Sequence, residues 1–282
     1  MEVIRNRKVL QDFIERQKEM GKRIGFAPTM GALHKGHLSL YEEAKKENDL
    51  VISSIFVNPT QFNNPEDLEK YPRDINRDIL ILENSGLVDA VYIPEIVDIY
   101  PEKAESKHYD FDGLENEMEG KSRPGHFDGV GTVVEELFRQ VQPDSAYFGE
   151  KDFQQLAIIK KMVEKTHLPV KITGVPIYRA ENGLALSSRN QRLHEDRKEA
   201  SKIIYETLNK VNDWFRTVTI AEIKERVTDI FDNQQGMHLE YFLIADENTL
   251  KETDFFYKDR NFRAFIVVVV DGVRLIDNMH LD

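Results

Sequence analysis

Two histidines three residues apart, His34 and His37, bracket Gly36 in the segment FAPTMGALHKGHLSL, residues 26–40. The apolar stretch 24–27 reads as a short buried strand ending at Pro28, followed by a tight turn through Gly31 and a helix over about 37–46. Each part of that order has a chemical use. A helix N-terminus presents unpaired backbone N–H groups and the positive end of the helix dipole, which together favour a phosphate. Gly31 and Gly36 let the backbone come close to a ligand. Imidazoles three residues apart on a first helical turn lie on the same side and can donate hydrogen bonds to phosphoryl oxygens. Imidazole can be neutral or cationic near neutral pH, so it can follow a phosphate whose charge changes during reaction. A lone histidine is more often a surface or satisfied core residue, and H-x-G-H as four letters is weak; the order strand, turn, H-x-G-H, helix is what carries the reading. Metal binding by the pair competes with it, but no Asp or Glu in the segment supplies a third ligand.

Further segments carry matching chemistry. FVNPTQF (56–62) ends a strand, where α/β sheets place ligand sites; YFGEKDFQQLAII (147–159) ends another and opens a helix; LALSSRN (184–190) follows the last. Lys151 and Arg189 are cations suited to anionic phosphates, with hydroxyl donors at Ser187 and Ser188. The amides of Gln61 and Gln155 offer donor and acceptor without charge. Taken singly, the bland alternatives are solvated charges, a turn residue and a helix cap. Taken as a set, with RPGHFDGV (123–130), these segments resemble the pantothenate synthetase (pantoate–β-alanine ligase) family over most of the chain. The H-x-G-H segment resembles the signature of the wider adenylyl-transferring superfamily that includes class I aminoacyl-tRNA synthetases.

The resemblance implies an ATP-dependent ligase that joins pantoate to β-alanine, releasing AMP and pyrophosphate through a bound pantoyl adenylate, with Mg²⁺ as cofactor. By the same likeness His34, His37, Lys151 and Arg189 are catalytic, His37 being the proton donor. Met30, Gly31, Ala32, Leu33, Lys35 and Gly36 join the two histidines in an ATP-binding turn. Gly149, Glu150, Lys151, Asp152, Tyr178, Leu186, Ser187, Ser188 and Arg189 supply the other ATP contacts, that of Tyr178 through its backbone. Gln61 contacts pantoate and β-alanine, and Gln155 contacts pantoate. No metal ligand is assigned: Asp78, Glu150 and Asp152 are read as solvated or ion-paired carboxylates, and Mg²⁺ keeps most of its ligands as water and phosphate. His126 is left open between ligand contact and loop support. A nucleotidylyltransferase that stops at adenylyl transfer, or a non-catalytic nucleotide-binding module, are the rival functions. The resemblance further implies a homodimer.

These residues need a scaffold to position them, and the chain offers an α/β one. Val9, Phe13 and Ile14 mark one helix face, LVISSIFV (50–57) a strand covered on both sides, 73–83 a helix and 90–93 a strand, so the repeated alternation predicts a doubly wound, Rossmann-like parallel sheet. Residues 101–125 read as a long loop, 130–141 as a helix, 145–148 as a strand, 152–166 as a helix and 170–177 as a strand. Past about residue 190 come two amphipathic helices, LHEDRKEASKIIYETLNKVNDWF and TIAEIKERVTDIFDN, and strands at 238–245, 262–270 and 273–276. The expected division is therefore a catalytic domain over 1–189 and a smaller α+β domain over 190–282. A net charge of −12 disfavours nucleic acid and anionic membranes, and the absence of cysteine removes thiolate chemistry. The charged N-terminus and the lack of a long apolar run predict a cytoplasmic protein without a membrane span.

Overall fold

The computed structural model describes residues 1–63 and 65–282. The chain divides into two compact units, one formed by Met1–Glu150 with Gln154–Pro176, the other by Lys151–Phe153 with Ile177–Asp282.

In chain order the first unit contains β1 (Glu2–Ile4), α1 (Arg7–Glu19), β2 (Ile24–Thr29), α2 (Lys35–Glu47), β3 (Leu50–Ile55), α3 (Pro65–Lys70), α4 (Ile75–Ser85), β4 (Ala90–Tyr92), α5 (Ile96–Ile99), α6 (Met118–Ser122), α7 (His126–Val141), β5 (Ser145–Gly149), α8 (Phe153–Thr166) and β6 (Lys171–Val175). The first residue of α8, Phe153, groups with the second unit. Among the described residues the strands form one parallel sheet in the order β1-β4-β3-β2-β5-β6. From β2 the chain builds outward through β3 to β4, then returns to lay β5 and β6 on the other side. The order thus reverses between β2 and β5, and the crevice beyond their carboxyl ends is where an open α/β sheet takes ligands. β3 is buried at every residue, Ser53 and Ser54 included, as its nearly continuous apolar sequence predicts. Leu33, Tyr41, Val51, Leu82, Val91 and Tyr147 are among the core side chains between sheet and helices.

The second unit holds α9 (Glu195–Ala200), α10 (Lys202–Trp214), α11 (Ile220–Asp232), β7 (Met237–Asp246), β8 (Phe262–Val270) and β9 (Val273–Leu281). Its three strands pair antiparallel, with β8 in the middle. β8 and the apolar faces of α10 and α11 bury one core that includes Leu208, Ile223, Phe231, Ile266 and Val268. A capping box between Thr219 and Glu222 starts α11.

The fold class is the one the sequence predicts; several elements differ in extent. The edge strand β1 was not foreseen, because three residues carry too little pattern. α7 begins at His126 rather than 130, and the segment expected to be a loop contains α6. The long helix expected after residue 190 is broken at Ser201 into α9 and α10, and β9 runs on to Leu281. Val9, expected on the buried face of α1, is exposed, and Leu10 takes that place. The units divide at Pro176, ahead of the boundary at 189 expected from sequence. Residues 179–185 fold back through an Arg179–Ala185 bridge, and Arg179 pairs with Asp277 on β9, which ties this stretch to the second unit.

Candidate active site

The turn after β2 is built around two histidines that cap the next helix. His34 is the N-cap of α2, in extended backbone, and its Nδ1 accepts the Gly36 N–H at 3.1 Å. His37, three residues on, accepts the His34 N–H on its own Nδ1 at 3.3 Å. The pair therefore forms a capping box in which both partners are imidazoles. With Nδ1 accepting in each, the neutral rings carry their proton on Nε2. The ring centroids are 4.1 Å apart.

The turn itself is clamped from behind. Gly31 and Ala32 both have positive φ, 83° and 51°, a conformation that strains a residue bearing a side chain. Asp78, on α4 and only 1% exposed, offsets that strain: one carboxylate oxygen accepts the Ala32 N–H and the other the Leu33 N–H, each at 2.8 Å. A Cβ on Gly31 would lie 2.8 Å from the same carboxylate, so only glycine fits there. Asp78 was expected to be a solvated or ion-paired carboxylate; it is instead a buried acceptor of backbone hydrogen bonds. The sequence held a signal for this, since Asp78 falls on the stripe Ile75, Ile79, Leu82 of α4 rather than on the charged face.

This arrangement changes how the turn can meet an anion. Five N–H groups of the turn are engaged: Gly31 with the Thr29 hydroxyl, Ala32 and Leu33 with Asp78, Gly36 with His34, and His37 with the His34 carbonyl. The imidazole Nε2–H groups are of a kind suited to a phosphoryl oxygen.

Gln61, in a short 3-10 turn after β3, is brought to this turn: its Nε2 lies 3.2 Å from the Met30 sulfur. It is 8% exposed and held from several sides. Its side-chain oxygen accepts from Asn58 at 3.2 Å, and the Asn58 oxygen accepts from the Tyr100 hydroxyl at 2.7 Å. Its backbone carbonyl accepts from Nδ1 of the buried His126 at 2.8 Å and from Arg123 at 3.2 Å. His126, left open by the sequence, thus supports the Gln61 turn. α7 can come this close because residue 129 is glycine, where a Cβ would meet the Thr60 carbonyl at 2.6 Å. Sequence reasoning missed Asn58 and Tyr100; Asn58 lay inside the FVNPTQF segment, whereas Tyr100 stood in no motif.

The adjacent glutamines of α8 separate cleanly. Gln154 is buried, donating to the Leu114 and Glu117 carbonyls and accepting the Glu119 N–H. Gln155, the residue singled out from sequence, is half-buried. Gly149 and Glu150 follow β5 and are half-buried as well.

The remaining sequence-assigned residues belong to the second unit. Lys151 has a side chain 14% exposed, 3.6 Å from the exposed Asp152 carboxylate. The Tyr178 carbonyl accepts the Leu186 N–H at 3.0 Å, and the Tyr178 ring is exposed. Ser187 caps the 3-10 turn Ser188–Arg192 by accepting the Arg189 N–H at 3.2 Å, which leaves its hydroxyl proton able to donate. Lys151 and Ser187 line one small cleft with Asn190 and Asp277.

Comparison with known proteins gives the family. The family model described as pantoate-beta-alanine ligase matches residues 2–280. A protein of Christiangramia forsetii named pantothenate synthetase is 53% identical over 283 residues, covering 100% of both chains. The crystal structure of pantothenate synthetase from Thermus thermophilus superimposes with a TM-score of 0.89 at 37% identity, covering 99% of each chain. Pantoate-beta-alanine ligase from Francisella tularensis, crystallised with beta-gamma ATP and beta-alanine, gives 0.81 at 38% identity, covering 99% of this chain and 97% of that one. A match that runs from the second residue nearly to the last, and takes in the doubly histidine-capped turn with Gln61 beside it, makes this chain a member of the pantoate–β-alanine ligase family.

Proposed function

We propose that this protein condenses pantoate with β-alanine in two steps on one nucleotide. The pantoate carboxylate attacks the α-phosphorus of ATP, forming pantoyl adenylate and releasing pyrophosphate. The β-alanine amine then attacks the acyl carbon, forming the amide and releasing AMP. The observation that carries this reading is the meeting of the histidine-capped turn with Gln61 through Met30.

Each group has a role that its chemistry supports. His34 and His37, with Nδ1 accepting, offer Nε2–H to oxygens of the phosphate chain, where charge gathers as pyrophosphate leaves. His37 is the donor assigned to the departing charge. Lys151 and Arg189 neutralise phosphate oxygens that would repel a carboxylate, and Ser187 and Ser188 add hydroxyl donors. Gln61 and Gln155 hold pantoate, and Gln61 also lies against β-alanine. The preset Gln61 amide, fixed by Asn58 and Tyr100, suits recognition of hydroxyl and carboxylate groups.

Mg²⁺ fits the site as a companion of the nucleotide. Among the described residues no three His, Asp or Glu side chains gather into a metal cage, and both oxygens of Asp78 face backbone N–H groups. A hydrated Mg²⁺ on the triphosphate needs few protein ligands, and its chemistry would be to screen phosphate charge. The protein is proposed to work as a homodimer in the cytoplasm. No helix among the described residues is long and apolar enough to cross a membrane.

The decisive experiment measures AMP from ATP with pantoate and β-alanine supplied separately and together. Multiple turnovers are expected only with both; without the amine about one pyrophosphate per site and almost no AMP should appear, because the AMP stays in a bound adenylate shielded from water. Equal AMP formation with β-alanine omitted would discard the ligase reading. An adenylylated product that persists with the amine present would favour simple adenylyl transfer.

A further inference from the structure

The antiparallel sheet of the second unit packs on an apolar core, yet its two neighbouring strands β8 and β9 bury three strongly polar side chains. Arg263 on β8 and Asp277 and Asn278 on β9 are 7%, 4% and 2% exposed. Buried polar groups destabilise a core unless they are paired, so where these pair is informative. Their bonds converge on Lys151–Phe153. The Asn278 side-chain N–H donates to the Lys151 carbonyl at 2.9 Å, while its oxygen accepts from Arg263 at 2.7 Å. Arg263 also pairs with Glu247 at 2.7 Å and lies 4.0 Å over the Phe153 ring. Phe153 in turn meets Phe265, the residue directly opposite Asn278 in the β8–β9 register. Beside them Asp277 takes a two-point pair from Arg179, accepts the Asn278 N–H at 2.8 Å and shares the small cleft with Lys151.

An ordinary surface lysine needs no such anchorage. Lys has a flexible four-carbon stem, and its ammonium reaches a defined point only if its backbone is fixed. Here the backbone is fixed by an amide that is itself oriented by a guanidinium. We propose that Asn278, oriented by Arg263, is a positioning residue for Lys151 and aims its ammonium at the nucleotide phosphates. This rests on the assignment of Lys151 to those phosphates.

A double-mutant cycle on the full-length protein tests it. Asn278→Asp keeps the acceptor for Arg263 but replaces the donor to the Lys151 carbonyl by an anion. With a thermal melt confirming the fold, kcat/KM for ATP in adenylation should fall about tenfold, the rate equivalent of one buried hydrogen bond. The same change in a Lys151→Ala background should alter it less than about twofold, because the two residues act as one unit. Equal losses in both backgrounds would overturn the proposal, as Asn278 would then act independently of Lys151. An unimpaired Lys151→Ala enzyme would instead remove Lys151 from the phosphate site, and the proposal with it. Should Asn278→Asp fail to fold, Arg263→Lys, which keeps the charge toward Glu247 but loses the planar donor to Asn278, enters the same cycle with the same two outcomes.

Discussion

Two clusters of buried polar side chains, one in each unit, are placed differently. In the first, Asn58, Gln61, Asp78 and His126 sit in turns, at a helix start or on a short helix, around the crevice left where the strand order reverses. In the second, Arg263, Asp277 and Asn278 sit within long strands, beside a core of aliphatic and aromatic side chains. A parallel sheet with crossovers on both sides makes a ligand crevice by topology alone, so its polar groups need only shape that crevice. A three-stranded antiparallel sheet makes none, and a polar group placed inside it must hold something in place. Loss of a polar group from the first unit should therefore show chiefly in rate, and from the second chiefly in stability or in the posture of Lys151–Phe153.

The largest stability effect is expected in the second unit. Burial pushes the Asp277 carboxyl above the ordinary carboxylate range even with Arg179 pulling the other way, so the pair depends on the geometry of its two bonds. Asp277→Ala leaves the Arg179 guanidinium partly buried without its partner and should destabilise the fold by about 3–5 kcal/mol. Denaturant unfolding measures this, and a loss below about 1 kcal/mol would place the pair with ordinary surface bridges.

His37→Ala probes the contrasting case. Adenylation in a single turnover should slow by on the order of 10²–10³, while stability falls by about 1 kcal/mol with the lost cap. His37→Gln sharpens the distinction, since glutamine can restore the capping box. That variant should recover stability and remain slow; recovered rate would make His37 a cap and nothing more.

Asp78→Asn stands between the two. Its amide presents a donor to one of two backbone donors, so a cost of about 1–3 kcal/mol is expected, together with a raised KM for ATP as the turn loosens. Wild-type ATP affinity in a folded variant would separate the turn's geometry from nucleotide binding.

The smallest effect concerns His108, which bonds to the first turn of α7. His108 bonds Asp128 at 3.0 Å, and that carboxylate raises the histidine above its ordinary pKa. A histidine raised in the folded state contributes stability that is present below its unfolded pKa and lost as pH rises through the folded one. Asp128→Asn should return the NMR titration of His108 to the ordinary range, with little change in rate. A titration that stays high would assign the shift to other nearby carboxylates.

Local patterns set out much of this molecule. The nearly continuous apolar run of β3, the turn residues around Gly31 and the helix through His37 were legible because burial on both faces, positive φ and helical periodicity each leave a mark within a few residues. The order of the functional segments along the chain gave the family. Three-residue β1 and the break at Ser201 carry no comparable local pattern, and so escaped it.

What only the tertiary structure decided are the partnerships between distant residues. Asp78 reads in sequence as one carboxylate among many; the fold removes it from water and aims both oxygens at the turn 45 residues away. Gln154 and Gln155 are equivalent as letters, and helix geometry directs the first to the carbonyls of 114 and 117. Asn278 meets Lys151 across 127 positions, from a part of β9 beyond the strand expected over 273–276. Periodicity records which face of an element is buried. Which polar group waits on that face depends on another element, and that pairing exists only once the chain has closed on itself.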